Sequence, residues 1–539
     1  MKKIFTLLTL TFIFVVGNVW GQNSLMAPKS EPFQPDLSKS VYTRADENLP
    51  MTDVIFNPEG KKVPYTKTIK GLDWGSPFEH EMAVTVVFGE NNKVYICNLL
   101  GRELSLAYDT YMEGEIIGDE IHVPVPQTIR SYGNWGQDVG IMEKGDNGEY
   151  YVSDIPYITY SYDKTSGEIK SKLPGEDKQY IIALIWTFGD WNEIGDFTQV
   201  YTPLGIDYNT MPQGIVTEEY YLNDNYYGYP VEIGFLDDKI YIKGLYLENP
   251  DIVVIGDIDG DIVKISQNQL VASIRGDFIW TKIILRDPAK ELVLAPEEDT
   301  YNMYFDKEKK CFSSVNPDEI FAFNGQLDRV FYYEFFEDFT LKMQDSFAGI
   351  PSNPFWLSFN GDDYRQTYGI FGFNFSLTNI STEGNVLDIN DLYYSIFIDG
   401  DILEFEEYEG LYNTVYPGIK GVMTQIPYEF TNGYDIDYTS IIGRFIGIYP
   451  DGVTTLGVQA IYKYNDIETR SDIMTLNVET NEVSSESGIT SIIFDEEDVI
   501  KTEYYGLDGK QVSNPANGLY IKRYILRNGK TVTRKILIK

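Results

Sequence analysis

One feature constrains the fold more than any other: much of the chain is written twice. Val84 to Ile96 (VTVVFGENNKVYI) is answered by Val231 to Ile242 (VEIGFLDDKIYI), and Gly114 to Asp119 (GEIIGD) by Gly256 to Asp261 (GDIDGD). Tyr162-Asp163-Lys164 returns as Phe305-Asp306-Lys307, and Asp196-Phe197-Thr198 as Asp338-Phe339-Thr340. Even the openings agree, Pro58-Glu59-Gly60 against Pro212-Gln213-Gly214. The order is kept; past the openings, which lie 154 positions apart, the offset stays near 142–146 positions. A period this long means tandem domains, because solenoid repeats run about 20–50 residues. The reading is two copies of one module, over 58–208 and 212–346.

The local pattern says what those modules are made of. Apolar and polar residues alternate with period two in Met82 to Phe88, Lys93 to Cys97, Val231 to Phe235 and Lys239 to Lys243, the spacing of a half-buried strand. Asn91-Asn92 and Asp237-Asp238 interrupt them at hairpin spacing. Long amphipathic helical patterns are missing. The fold class expected is all-β: duplicated sheet-on-sheet modules, then a third β region over 351–480 and a small β unit at 487–539.

That third region carries Leu392-Tyr393-Tyr394-Ser395-Ile396-Phe397-Ile398-Asp399-Gly400, and later Gly457 to Tyr464 followed by Ser471 to Val478. The first run resembles the central strand and turn of fibronectin type III and related immunoglobulin-like domains, and the second their final hairpin. The resemblance implies a sandwich used as spacer or interaction domain, and no chemistry of its own.

Both ends read as addresses. Lys2 and Lys3 precede the mostly apolar Ile4 to Val16, and Val19-Trp20-Gly21 closes the stretch, the pattern of a signal peptide over 1–21. Residues 22–57, with Pro28, Pro32, Pro35 and Pro50, are expected to form an extended linker. At the other end stand Glu503 to Lys510 (EYYGLDGK), Asn517 to Lys522 (NGLYIK), Asn528-Gly529-Lys530 and Lys535 to Lys539 (KILIK). They resemble the short form of the C-terminal sorting segment of type IX (Por) secretion in Bacteroidetes. That resemblance implies a secretion-machinery partner and a place outside the cell or on its outer surface.

Charge narrows the partners. The net charge is −39, yet residues 501–539 hold nine Lys/Arg against two Asp/Glu. The body is therefore more acidic than the whole and repels nucleic acid, which is bound through Lys and Arg. No stretch beyond the signal is apolar for the ~20 residues of a membrane span, so none is expected in the mature protein. The two cysteines, Cys97 and Cys311, give no disulfide framework.

Catalytic patterns were sought without success. His80 and His122 are the only histidines; neither sits in a metalloprotease motif, and no nucleophile elbow, phosphate loop or dinucleotide fingerprint occurs. Asp257, Asp259, Gly260 and Asp261 imitate a calcium loop, but its twelfth position is Asn268 where a bidentate Glu is required. The expectation is no catalytic residue, no metal and no cofactor. Aromatic residues form 15% of the chain and concentrate in Trp186 to Trp191 and Tyr220 to Tyr229. Flat rings beside Asp and Asn suit recognition of a sugar or peptide. Trp191, Tyr226, Tyr227 and Tyr229 are therefore the expected contact residues of a secreted, non-enzymatic protein that captures an extracellular glycan or protein. The rivals are a polysaccharide hydrolase using an Asp/Glu pair and a structural stalk without ligand.

Overall fold

The computed structural model describes residues 51–538, apart from 98, 101–109, 133–134, 176–178, 188–190, 225, 288–290, 361–370, 405–422, 432–435, 449–451, 487–498, 506–510, 513–517 and 528–530. The expected signal peptide and most of the expected linker thus lie outside the described residues. What is described is nearly all strand, as the period-two pattern required. It divides into two compact units, one comprising Ala27–Asp224 with Pro230–Met343, the other Asn225–Tyr229 with Gln344–Lys539.

The first unit holds both copies of the repeat, and each closes into an eight-stranded antiparallel barrel rather than the expected sandwich of sheets. The first barrel runs Lys61–Asp73, Ser76–Phe88, Lys93–Cys97, Tyr111–Ile117, Glu120–Pro124, Tyr157–Tyr162, Ile169–Lys172 and Trp191–Pro203. Its last strand returns to pair with its first, Thr68 opposite Val200. The second runs Thr217–Asn223, Gly228–Leu236, Lys239–Lys243, Val253–Asp259, Ile262–Ser266, Thr300–Asp306, Cys311–Ser314 and Thr340–Lys342, and closes with Leu222 opposite Leu341. Strand order is the same in both. The repeated segments found in the sequence fall on matching strands and turns, with GEIIGD and GDIDGD forming the fourth-to-fifth hairpin in each.

Each copy also carries an accessory sheet, inserted after the fifth and seventh barrel strands. In the first it is Gln127–Tyr132, Trp135–Lys144 and Tyr180–Trp186 joined to the final barrel strand. In the second it is Leu270–Ile274, Asp277–Arg286, Glu319–Asn324 and Tyr332–Glu337. Alternation fills the first barrel: Val84, Val86, Val94, Ile96, Ile121, Val123, Ile158 and Tyr160 share one buried cluster. Eight strands enclose just enough room for such a packed interior. Cys97 and Cys311 lie in separate barrels and are not joined in a disulfide.

In the second unit, two antiparallel sheets share one core. One has the order Phe355–Asn360, Phe371–Ser376, Gly443–Ile448, Ile436–Tyr438; the other is built on Leu392–Ile398 paired with Thr455–Tyr464. Phe373, Phe375 and Ile446 from one meet Tyr394, Ile396 and Val458 from the other. The C-terminal segment forms a three-stranded sheet, Val499–Tyr505, Gly518–Leu526 and Thr531–Ile538. Asp508-Gly509 and Asn528-Gly529 of the sorting-segment resemblance lie outside the described residues.

Candidate binding site

The aromatic residues singled out by sequence fare differently. Trp191 is half-buried: its indole N–H donates to the Ile194 carbonyl at 2.9 Å, and its ring packs edge-on to Tyr150 at 5.2 Å. It belongs to a small core with Met142, Ile181 and Ile185. Tyr229 is only 7% exposed. Tyr227 is half-buried against the core of the two-sheet unit, where burial, reinforced by Tyr428, holds its hydroxyl proton far above the ordinary phenol range. Tyr226 is the most exposed of the four, at 45%.

What holds Tyr226 out is the loop beneath it. Asn379, itself buried, accepts from the Gly228 N–H at 2.8 Å and donates to the Gly228 carbonyl at 2.7 Å. One amide side chain thus satisfies both backbone groups of a buried glycine, which costs about 1–3 kcal/mol per group if left undone. The loop is clamped, and the ring it carries is positioned.

Two further rings complete a cluster. Tyr226 lies 6.0 Å from Phe355 and 5.4 Å from Trp356, and those two meet edge-on at 4.8 Å. Trp356 is 62% exposed and adopts φ 51°. A left-handed backbone at a bulky residue costs about 1–3 kcal/mol and persists only where the surroundings impose it. The cause is a β-bulge in the edge strand: Phe355 faces Ser376 but Ser358 faces Asn374, so one extra residue is accommodated. The bulge buries Leu357 and leaves Trp356 outward. Polar groups border the rings along the chain, with Asn353 tied to Asp472 through contacts of 2.9 and 3.4 Å and Ser358 exposed.

Sequence inspection missed Phe355 and Trp356 because it weighed aromatic density, and Pro354-Phe355-Trp356 is a short run. Trp74 was missed for the same reason. It is 61% exposed at φ 49° in the hairpin between Asp73 and Ser76, and no ring contact to it occurs among the described residues.

The absent chemistry can be placed as well. His122 sits 3.0 Å from Glu120, whose other oxygen takes Lys172 at 2.6 Å; these contacts, the lysine's first, hold the Glu120 carboxyl below its usual range. Each carboxylate of the calcium-like turn has a lysine: Lys239 on Asp257, Lys264 on Asp259, Lys307 on Asp261. The turn is a salt-bridged hairpin, and no group of residues able to hold a metal occurs among the described residues.

One pair of carboxyls does stand out, in the second barrel's copy. Burial drives the Glu334 carboxyl well above its ordinary range, aided by Asp224 and Glu248 and opposed by the Leu247 N–H. Glu248 is raised too, by burial, against the pull of Arg275 at 3.6 Å and the Tyr246 hydroxyl at 3.1 Å. No protein-family model matches this chain, and no curated protein sequence matches it.

Proposed function

We propose that this is an exported, non-enzymatic binding protein that captures an extracellular glycan on the Tyr226–Phe355–Trp356 cluster. The observation that carries the reading is the gathering of three rings, with an exposed Trp356 against Tyr226 and Phe355. Trp74 has the same exposure and left-handed backbone without ring partners among the described residues, so it is the clustering that points to use. Rings give large contact area at little entropy cost, and their faces stack on the apolar faces of sugar rings. The acidic body disfavours anionic polysaccharides, which leaves neutral glycans. The C-terminal three-stranded sheet is the sorting segment in this account, and its excess of Lys/Arg over Asp/Glu, nine against two in a chain of net charge −39, supports a separate role.

A glycan array probed with the full chain and with Trp356→Ala tests the reading: neutral glycans should bind the first and fade with the second. Equal array profiles would remove its basis. A second reading, polysaccharide hydrolysis, is favoured only by Glu334, whose carboxyl burial pushes well above its ordinary range, the direction a general acid needs. Polysaccharide turnover abolished by Glu334→Gln would establish it in place of simple capture.

A further inference from the structure

The closing seam of the first barrel holds a polar cluster that glycan capture does not use. Lys67 on the first strand and Asp196 on the last are both 0% exposed, with Nζ 3.6 Å from Oδ2. Nζ also donates to the Leu99 carbonyl at 2.6 Å. Gln199 Nε2 donates to the same Asp196 oxygen at 2.7 Å and to Leu99 at 2.8 Å, while the hydroxyls of Tyr160 and Tyr201 donate to Gln199 Oε1 at 2.7 and 3.0 Å. Opposite Asp196 stands Gly71, where a Cβ would come within 2.0 Å of the Gly195 carbonyl. Only glycine lets the two strands approach this closely.

Barrel closure does not require this cluster, as the second copy shows. Thr198 pairs with Lys70 in the first barrel and its counterpart Thr340 with Asn223 in the second. That register sets Tyr220 where Lys67 stands, Leu341 where Gln199 stands and, through the Phe305 match, Met303 where Tyr160 stands. All three are buried, and Asp338, the counterpart of Asp196, is exposed. The same fold thus closes on an apolar interior. Apolar replacement of a buried ion pair is often neutral or stabilising, so the pair in the first barrel calls for a use.

We infer that Lys67 and Asp196 condense into an intramolecular isopeptide bond across the barrel seam. A proton passes from the ammonium to the carboxylate, leaving an amine and an acid. Nζ then attacks Cγ; the Nζ–Cγ bond forms, one Cγ–O bond breaks, and the oxygen departs as water carrying the transferred proton and a second one from Nζ. No oxidant, cofactor or second substrate is needed. Nζ lies 3.6 Å from Oδ2 with both side chains fully buried, which holds amine and acid together as such an attack requires. Gln199 Nε2 is already hydrogen-bonded to Asp196 Oδ2, a preorganised donor in a dry site that polarises the carboxyl for attack. The product exchanges two buried charges for one neutral amide. It also ties the first strand to the last across a loop of roughly 130 residues, constraining the unfolded chain as a disulfide would.

Tryptic digestion of the purified full chain, read by tandem mass spectrometry, tests this directly. The expected result is a branched peptide joining the Lys67 and Asp196 segments, lighter by one water than its two arms, with loss of cleavage after Lys67. Lys67→Arg and Asp196→Ala should each abolish the branched species, a readout that peptide mapping gives whether or not the variant folds. Recovery of only the two linear peptides from the wild-type protein overturns the inference.

Discussion

Replacing Trp356 by glycine and by alanine makes opposite demands on the backbone, and the comparison isolates the strain. At an ordinary φ, glycine is the less stable of the two by about 0.4–1 kcal/mol, because it gives the unfolded chain more freedom. At φ 51° a residue with a Cβ carries about 1–2 kcal/mol of left-handed strain that glycine escapes. Both variants lose the same ring contacts with Tyr226 and Phe355, so those cancel. The difference should therefore reverse, leaving Trp356→Gly more stable than Trp356→Ala by about 0.5–1 kcal/mol. A chain of several units does not unfold in two states, so the readout must be local. Amide hydrogen exchange in Phe371–Ser376, the strand paired to the bulge, supplies it. Up to about five-fold greater protection is expected in the glycine variant, the equivalent of ~1 kcal/mol. Equal protection, or greater protection in the alanine variant, would mean that Trp356 is not strained.

Other consequences are testable separately. Asn379→Ala leaves both backbone groups of Gly228 buried without their partner and should loosen the Tyr226 loop by about 2–4 kcal/mol, seen as faster exchange of the Gly228 amide. The raised carboxyl of Glu334 binds its proton more tightly in the folded than in the unfolded state. Its contribution is complete below the unfolded carboxylate range and is lost as pH rises towards the folded value. Glu334→Gln should flatten that decline in thermal unfolding profiles above about pH 5; an identical pH profile would refute the assignment. Deleting Glu503 to Lys539 should leave the protein in the periplasm on cell fractionation, and undiminished export would refute the sorting role.

The strands were legible because burial on one face imposes a period of two, as in Glu120–Pro124, where Ile121 and Val123 point inward. The repeat was legible because its hairpin turns use residues that few alternatives replace, Gly118 and Gly260 both lying at positive φ. Closure was not. It depends on Thr68 meeting Val200, and pairing across so long a loop leaves no trace in local alternation, which reads the same in a barrel and a sandwich. The binding site was half legible for a related reason. Tyr density marked the Tyr226–Tyr229 loop, but which ring faces outward depends on the Asn379 clamp, 151 positions away, and on a bulge visible only once strands are paired.

The central claim is that three clustered rings, and not exposed aromatics in general, bind a neutral glycan. Titration calorimetry with the best array oligosaccharide, comparing the wild-type chain with Trp356→Ala and Trp74→Ala, tests it most directly. Losing a central aromatic contact costs about 2 kcal/mol or more, roughly thirty-fold in Kd, so Trp356→Ala should weaken binding by that factor while Trp74→Ala, lacking a ring partner, leaves it unchanged. Equal affinity in all three proteins would contradict the account.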